Sequence, residues 1–244
     1  MRESGRLLSL VLDEMERTLR PGMSTKDIDI IGERKIRELG GIPNFLNYEG
    51  FPASICVSVN DEVVHGIPDK HRIIREGDIV SLDCGLIWKG YHSDAARTFA
   101  VGKVSPEAEQ LMRVTRECFF EGIKYAREGC HLYDISNAIA DHADKYGYGI
   151  VTDLVGHGIG TSLHEEPEVP NFHMHKKGPR LRAGMTLAIE PMINMGRSDV
   201  EWLENDWTVA TQDGSLSAHY ENTVLITEGE PEIFTLQGKE KLHV

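Results

Sequence analysis

Four carboxylates and one imidazole, spread over four short stretches, are the residues of this chain best suited to do chemistry. Asp83 and Asp94 lie in SLDCGLIWKGYHSDAARTF, His157 in VGHGIGTSLHEEPEVP, Glu190 in LAIEP and Glu221 in AHYENTVLIT. Hard oxygen donors with a single nitrogen suit a pair of divalent cations. Four negative charges also balance two dications, which leaves a loaded site close to neutral.

Spacing predicts how the first pair is held. Lys89-Gly90 reads as a two-residue hairpin turn, because glycine accepts positive φ. Trp88 then faces Tyr91, and Gly85 faces Asp94. Asp83 and Asp94 become diagonal neighbours on one face, about 7–8 Å apart at Cα. The other face of the first strand, Val80, Leu82, Cys84, Leu86 and Trp88, is wholly apolar. Asp83 therefore lies opposite the core stripe, and Gly85 is expected to leave room beside it. The competing reading of the hairpin alone is two acids on a solvated face.

Length and composition narrow the classes. A chain of 244 residues buries a substantial core as one large domain or two small lobes. A net charge of −13 argues against a mainly electrostatic nucleic-acid binder. Cys56, Cys84, Cys118 and Cys130 show no CxxC spacing and read as reduced thiols of a cytoplasmic protein. No apolar run reaches membrane-spanning length, and Met1-Arg2-Glu3 does not open a signal peptide.

The chain repeats itself at an offset of 107 residues. Arg20, Gly22, Asp27, Ile28 and Gly40 fall on Arg127, Gly129, Asp134, Ile135 and Gly147, and Arg75 and Gly77 on Arg182 and Gly184. The same shift lays REGDIVSLD over RAGMTLAIE and Asp83 over Glu190. A duplicated α+β unit with a site between its halves is expected, as a single domain 1–244 with halves of about 1–107 and 108–244. Helices are expected over 5–19, from a Ser24 cap to about Leu39, from Ser105-Pro106 onward, and over about 134–146. Strands are expected near 54–59, 79–88, 91–99, 149–156, 185–192, 206–211 and 218–226, with Asp213-Gly214 as a turn.

Two further histidines stand near this set. His65 lies in EVVHGIPD, and His164 seven residues after His157, beyond the glycines of GHGIG. Each is either an ordinary surface or core histidine, or a general acid/base or oxyanion donor beside activated water. HEEPEVP is not a zinc HExxH helix: it lacks the second histidine, and Pro167 would break the helix.

With these residues in view, the chain resembles the type I methionine aminopeptidases over nearly its whole length. SICVSVNDEVVHGIPD, IVSLDCGLIWKGYHSDAARTF, VGHGIGTSLHEEPEVPNF, LAIEPMI and SAHYENTVLITEGEPEIFT carry the resemblance. It implies the pita-bread fold, an α+β antiparallel sheet backed by two helix pairs with pseudo-twofold symmetry. It implies two divalent ions (Mn, Fe, Co or Zn), with Asp83 on one, His157 and Glu190 on the other, and Asp94 and Glu221 bridging. A monovalent cation near Asn60 and Ser217 is a weaker implication. The zinc-binding N-terminal extension of some relatives is expected to be absent.

The implied reaction is removal of the initiator methionine from nascent polypeptides, with a preference for a small second residue. By resemblance Glu190 takes the proton of the attacking water, His164 contacts the substrate carbonyl, and His65 lies near the scissile nitrogen. The methionine side chain enters a pocket of Tyr48, Phe51, Cys56 and Trp207, edged by Phe45 and Leu163. A sulfur- and aromatic-lined wall suits a thioether. Phe45 stands where a cysteine is common in the family, and Leu163 where an aromatic is common. The implied partners are nascent N-termini and a transient ribosome contact, for a monomer that touches neither membrane nor nucleic acid directly. Two alternatives remain: a prolidase or aminopeptidase P of the same fold, and a non-catalytic peptide-binding module. The first usually carries an extra N-terminal domain, for which this chain has no room. The second loses metal ligands, and all five are present here.

Overall fold

A computed structural model of the chain describes residues 1–236. Among the described residues the α-helices are α1 (Arg2–Thr18), α2 (Thr25–Glu38), α3 (Pro106–Ile123) and α4 (Leu132–Asp144). The apolar stripe of α1, Leu7, Leu8, Val11, Leu12 and Met15, is buried against α2 and the hairpin. Ser24 caps α2, and its N–H donates to Asp27 Oδ2 at 2.8 Å, the reciprocal bond of a capping box. Ser105 caps α3 with Pro106 at its first position.

The hairpin forms in the expected register. Ile79–Trp88 pairs with Tyr91–Ala100, with Trp88 opposite Tyr91 and Gly85 opposite Asp94. Lys89 and Gly90 both take positive φ, 50° and 81°, which matches the strand twist at a two-residue turn. The other edge of Ile79–Trp88 pairs with Ile55–Val59 and, beyond it, Ile42–Pro43. The space beside Gly85 is not open: an added Cβ there would lie 2.6 Å from Asn44 Cβ and 3.0 Å from Phe45 Cε1. The missing side chain lets the Ile42–Phe45 segment close over the hairpin.

The offset of 107 residues is visible in the backbone. Gly22 and Gly129 share a φ near +90°, as do Gly77 and Gly184, while Gly40 and Gly147 sit at 77° and 70°. Gly22 N–H donates to Ile74 O at 2.8 Å, and Gly129 N–H to Leu181 O at 3.1 Å. The His131 N–H donates to Asp134 Oδ2 at 2.8 Å, the counterpart of Ser24 and Asp27. Each copy buries its own core. Leu8, Met15, Ile28, Ile55 and Leu82 centre the first, and Leu111, Phe119, Leu132, Ile139 and Leu187 the second.

Three expected strands are interrupted. The stretch 149–156 contains only Gly149–Ile150 before Gly156–Gly158 begins; 185–192 splits into Thr186–Ile189 and Met192–Asn194; 218–226 splits into Ser217–His219 and Asn222–Leu225. The 206–211 segment is strand only over Val209–Thr211. The three interruptions share one cause. Gly149–Ile150, Met192–Asn194 and Ser217–His219 form one antiparallel sheet, whereas Gly156–Gly158, Thr186–Ile189 and Asn222–Leu225 belong to another. Each pass crosses from sheet to sheet, and alternation read from sequence sees one long strand. Pro191, without an N–H, marks one crossing, and Glu221 N–H bonds Ala96 O of the hairpin at 2.9 Å at another.

Gly156 lies where two of these strands approach closely. An added methyl would collide with the Ala188 carbonyl oxygen and lie 3.3 Å from Glu190 Cγ. Gly156→Ala is expected to cost about 1–3 kcal/mol by overpacking and to loosen metal uptake by displacing His157 and Glu190. Urea unfolding and metal stoichiometry check this; an unchanged midpoint and full loading would show slack at the junction.

Candidate metal centre and substrate pocket

All five predicted ligands line one cavity of about 210 Å³. Asp83 and Asp94 reach it from the hairpin, on the face away from the first core. Glu190 and Glu221 occupy two of the sheet crossings, and His157 follows the third. One ligand atom each from Asp94, His157 and Glu221 lie within 4.8 Å of one another. His157 Nε2 is 3.7 Å from Glu190 Oε1. Relative exposures of 9% for Asp83, 4% for Asp94 and 2% for Glu221 show how far these acids are withdrawn from water.

The backbone holding the acids is stitched across the halves. Thr223 Oγ1 accepts from Asp94 N–H at 2.9 Å and donates to Asp94 O at 2.9 Å. Arg97, itself buried, donates to the Glu221 carbonyl and, at 2.7 Å, to Asn222 Oδ1, with its guanidinium over the Tyr220 ring. Asn171 Nδ2 donates to the Glu190 carbonyl at 3.2 Å.

The donor set fits divalent cations. Asp83 Oδ1, Asp94 Oδ1 and Glu221 Oε1 are buried with no hydrogen-bond partner, which is costly for a carboxylate unless a cation or proton is added. Burial pushes Asp83 up to about 7. Burial first, and then the neighbouring carboxylates, hold Asp94, Glu190 and Glu221 well above the usual carboxylate range. His157 Nδ1 lies 2.8 Å from the Gly158 carbonyl. A carbonyl only accepts, so the proton sits on Nδ1 and the Nε2 lone pair is free for a metal.

The eight predicted pocket residues also line this cavity: Phe45, Tyr48, Phe51, Cys56, His65, Leu163, His164 and Trp207. Phe51 and Trp207 meet edge to face with centroids 5.1 Å apart. Leu163 is buried in the same apolar cluster as Phe45 and Cys56, and all three line the cavity. His65 takes a left-handed φ of 58°, rare for a non-glycine residue, which aims its ring at the cavity edge-on to Trp207. Desolvation pushes His65 down to about 4. Asn60 and Ser217 lie together as well, with Ser217 N–H donating to Asn60 O at 2.9 Å.

Sequence reasoning missed His219, Met192, Leu154 and Glu49, which share the lining. His219 is 2% exposed, has neither ring nitrogen hydrogen-bonded, and places Nε2 3.8 Å from Glu190 Oε2. Its position two residues before Glu221 was the available signal, since i and i+2 share a strand face.

A duplicated antiparallel fold with buried carboxylates and one imidazole at its junction, beside an apolar pocket, defines a pita-bread metallohydrolase. The model of metallopeptidase family M24 matches residues 1–228. A methionine aminopeptidase of Clostridium acetobutylicum is 53% identical over 97% of this chain and 94% of its own length. The crystal structure of methionine aminopeptidase from Thermotoga maritima superposes with a TM-score of 0.95 at 41% identity, covering 97% of this chain and 95% of that one. The Xaa-Pro dipeptidase of Bacillus anthracis shares the fold, with a TM-score of 0.79 at 24% identity, but this chain covers only 60% of it. The chain belongs to metallopeptidase family M24 and, within it, to the methionine aminopeptidases. It is a hydrolase that uses divalent metal. Among the described residues no helix is long and apolar enough to cross a membrane.

The raised carboxyls set a pH dependence. A carboxyl whose folded pKa lies above its unfolded value binds its proton more tightly when folded, so its stabilisation is lost as pH rises through the folded pKa. His65, His157 and His219 are lowered from 6.5, to about 4, 4 and 3, and oppose this only below their unfolded value. Metal-free protein is therefore expected to lose thermal stability as pH rises above the ordinary histidine value of 6.5, through about 7 for Asp83 and onward for the other raised acids, and saturating divalent metal to remove that loss. Melting curves with chelator and with metal check the sign; a metal-free midpoint that stays flat or rises over this window would mean that the acids hold no raised pKa in the folded protein.

Proposed function

We propose that this chain removes the N-terminal methionine from nascent proteins and peptides, preferring a small second residue. The observation that carries the reading is the junction of two surfaces. An apolar pocket walled by Phe45, Phe51, Cys56, Leu163 and Trp207 ends on the cluster of Asp83, Asp94, His157, Glu190 and Glu221. A thioether fits such a wall, and a peptide N-terminus so placed would present its first amide to the cluster.

The five ligands would hold two cations, with Asp83 on one, His157 and Glu190 on the other, and Asp94 and Glu221 shared. Bound divalent metal supplies acidified water and a polarised carbonyl. Glu190 accepts the proton of the attacking water. His164 donates to the substrate carbonyl oxygen as negative charge develops there. His65 lies on the side of the scissile nitrogen. Mn, Fe, Co and Zn all tolerate this ligand set, and the Asn60–Ser217 junction is the place for a monovalent ion. The substrate's origin puts the enzyme in the cytoplasm, in transient contact with the ribosome. The proposed state is a monomer.

A peptide panel tests the assignment. Peptides opening Met-Gly, Met-Ala or Met-Ser are expected to be cleaved best. Norleucine should be accepted within the cost of a small apolar change, about 1–3 kcal/mol, and all turnover should stop with chelator. Leu163→Phe should narrow tolerance of bulky N-terminal analogues. Preference for Xaa-Pro peptides lacking methionine would move the chain to the prolidase reading.

Asp94→Asn keeps shape but removes a shared charge. Activity is expected to fall more than about 100-fold, beyond what outer-sphere partners typically cost, with reduced metal occupancy and cooperative unfolding retained. Full activity of this variant at trace metal would remove Asp94 from the ligand set.

A further inference from the structure

His157 and His164 lie side by side, ring centroids 4.3 Å apart and edge to face. Their Nδ1 atoms meet opposite partners. That of His157 faces the Gly158 carbonyl at 2.8 Å, which can only accept. That of His164 lies 2.7 Å from the Tyr48 hydroxyl, which can donate. A phenol is the better donor of this pair and a neutral imidazole nitrogen the better acceptor, so the stronger polarity runs from Tyr48 Oη–H to His164 Nδ1.

We propose that Tyr48 is a positioning residue for catalysis: its hydroxyl fixes His164 in the Nε2–H tautomer and orients that N–H toward the substrate carbonyl. The neighbouring histidines are thereby set to opposite tautomers, His157 with a bare Nε2 for metal and His164 with a protonated Nε2 for the oxyanion. This goes beyond the role of Tyr48 as pocket wall, and rests on the proposed role of His164.

The local backbone is built to deliver that hydroxyl. Tyr48 sits in a short 3₁₀ turn between Asn47 at φ 66° and Glu49 at φ 48°, followed by Gly50 at 94°. Left-handed backbone is disfavoured at a residue such as Glu49, less so at Asn47, and such strain persists where the surroundings demand it. Phe51 O accepts from Asn47 N–H at 2.9 Å and closes the turn, so Tyr48 reaches across to His164 while Phe51 lines the pocket. The Tyr48–His164 ring pair is tilted, with centroids 5.3 Å apart. Partial burial raises Tyr48 above its ordinary value of 10, which keeps the donor proton in place at neutral pH.

Tyr48→Phe tests this, because it keeps the ring and hence the pocket wall. In zinc-loaded protein, nitrogen NMR of the His164 ring should show the proton on Nε2, with a mixture of tautomers in Tyr48→Phe. With a methionyl peptide, kcat should fall about tenfold, the scale of lost outer-sphere orientation, while KM stays within about twofold. In a His164→Ala background the same substitution should change kcat by less than about twofold, because a single hydrogen bond has already been lost. A proton on Nδ1 in the wild type, or effects of the two substitutions that multiply, would overturn the proposal. If His164→Ala alone is as fast as wild type, the proposed role of His164 fails and the catalytic half of this inference fails with it; the NMR measurement still decides whether Tyr48 sets the tautomer.

Discussion

Withdrawing four carboxylates from water around one cleft is the constraint on which the rest of this structure depends. Each acid loses hydration, and each repels the others. Asp94 and Glu221, at 4% and 2% exposure, retain buried oxygens with no hydrogen-bond partner. Such an arrangement persists when the scaffold holds the backbone rigidly and a cation or proton neutralises the charge. The scaffold meets the first requirement with Thr223 bonded twice to the Asp94 main chain and Arg97 spanning the hairpin and the 221–222 segment. Divalent metal meets the second, with proton release as the linked event.

Duplication explains how so many acids come to one place. In each half a glycine-ended helix pair backs a strand that brings an acid to the junction, Asp83 within its strand in one and Glu190 directly after Thr186–Ile189 in the other. The correspondence extends to positive φ at Gly22 and Gly129 and to the N-terminal bonds made by Asp27 and Asp134. The halves then diverge. The first keeps a long regular hairpin, while the second breaks its strands between two sheets. Two of those crossings hold Glu190 and Glu221, and His157 follows the third. A residue at a crossing escapes the alternation that would send it into a core or out to solvent, and can be aimed at the junction.

The same economy governs the histidines. His157 and His164 differ in what touches Nδ1, a carbonyl in one case and a hydroxyl in the other. His219 adds a third ring at the Glu190 carboxylate. Identity of side chain sets what chemistry is possible; the partner on the far side of the ring selects which part of it is expressed.

The sequence by itself determined the hairpin register, the helix caps, the repeat offset and the residues that gather in the cleft. The first three rest on local physics, a Lys-Gly turn with positive φ, a serine before a helix, and matching glycines in the two halves, whereas the full set of cleft residues came through the resemblance to a family. It misread 149–156, 185–192 and 218–226 as continuous strands, because alternation is preserved when a chain passes from one sheet to another, and only the identity of the hydrogen-bond partner changes. It passed over His219, although the spacing to Glu221 was available, because nothing local distinguishes a cleft-facing histidine from a core one. It took the space beside Gly85 as open, whereas Asn44 and Phe45 fill it. Tertiary structure alone decided which strands exchange partners, which nitrogen of each histidine is free, and how deeply the acids are desolvated. Each depends on groups that only the fold brings together, some of them more than a hundred residues apart in the chain, such as Asp94 with Thr223 and Tyr48 with His164.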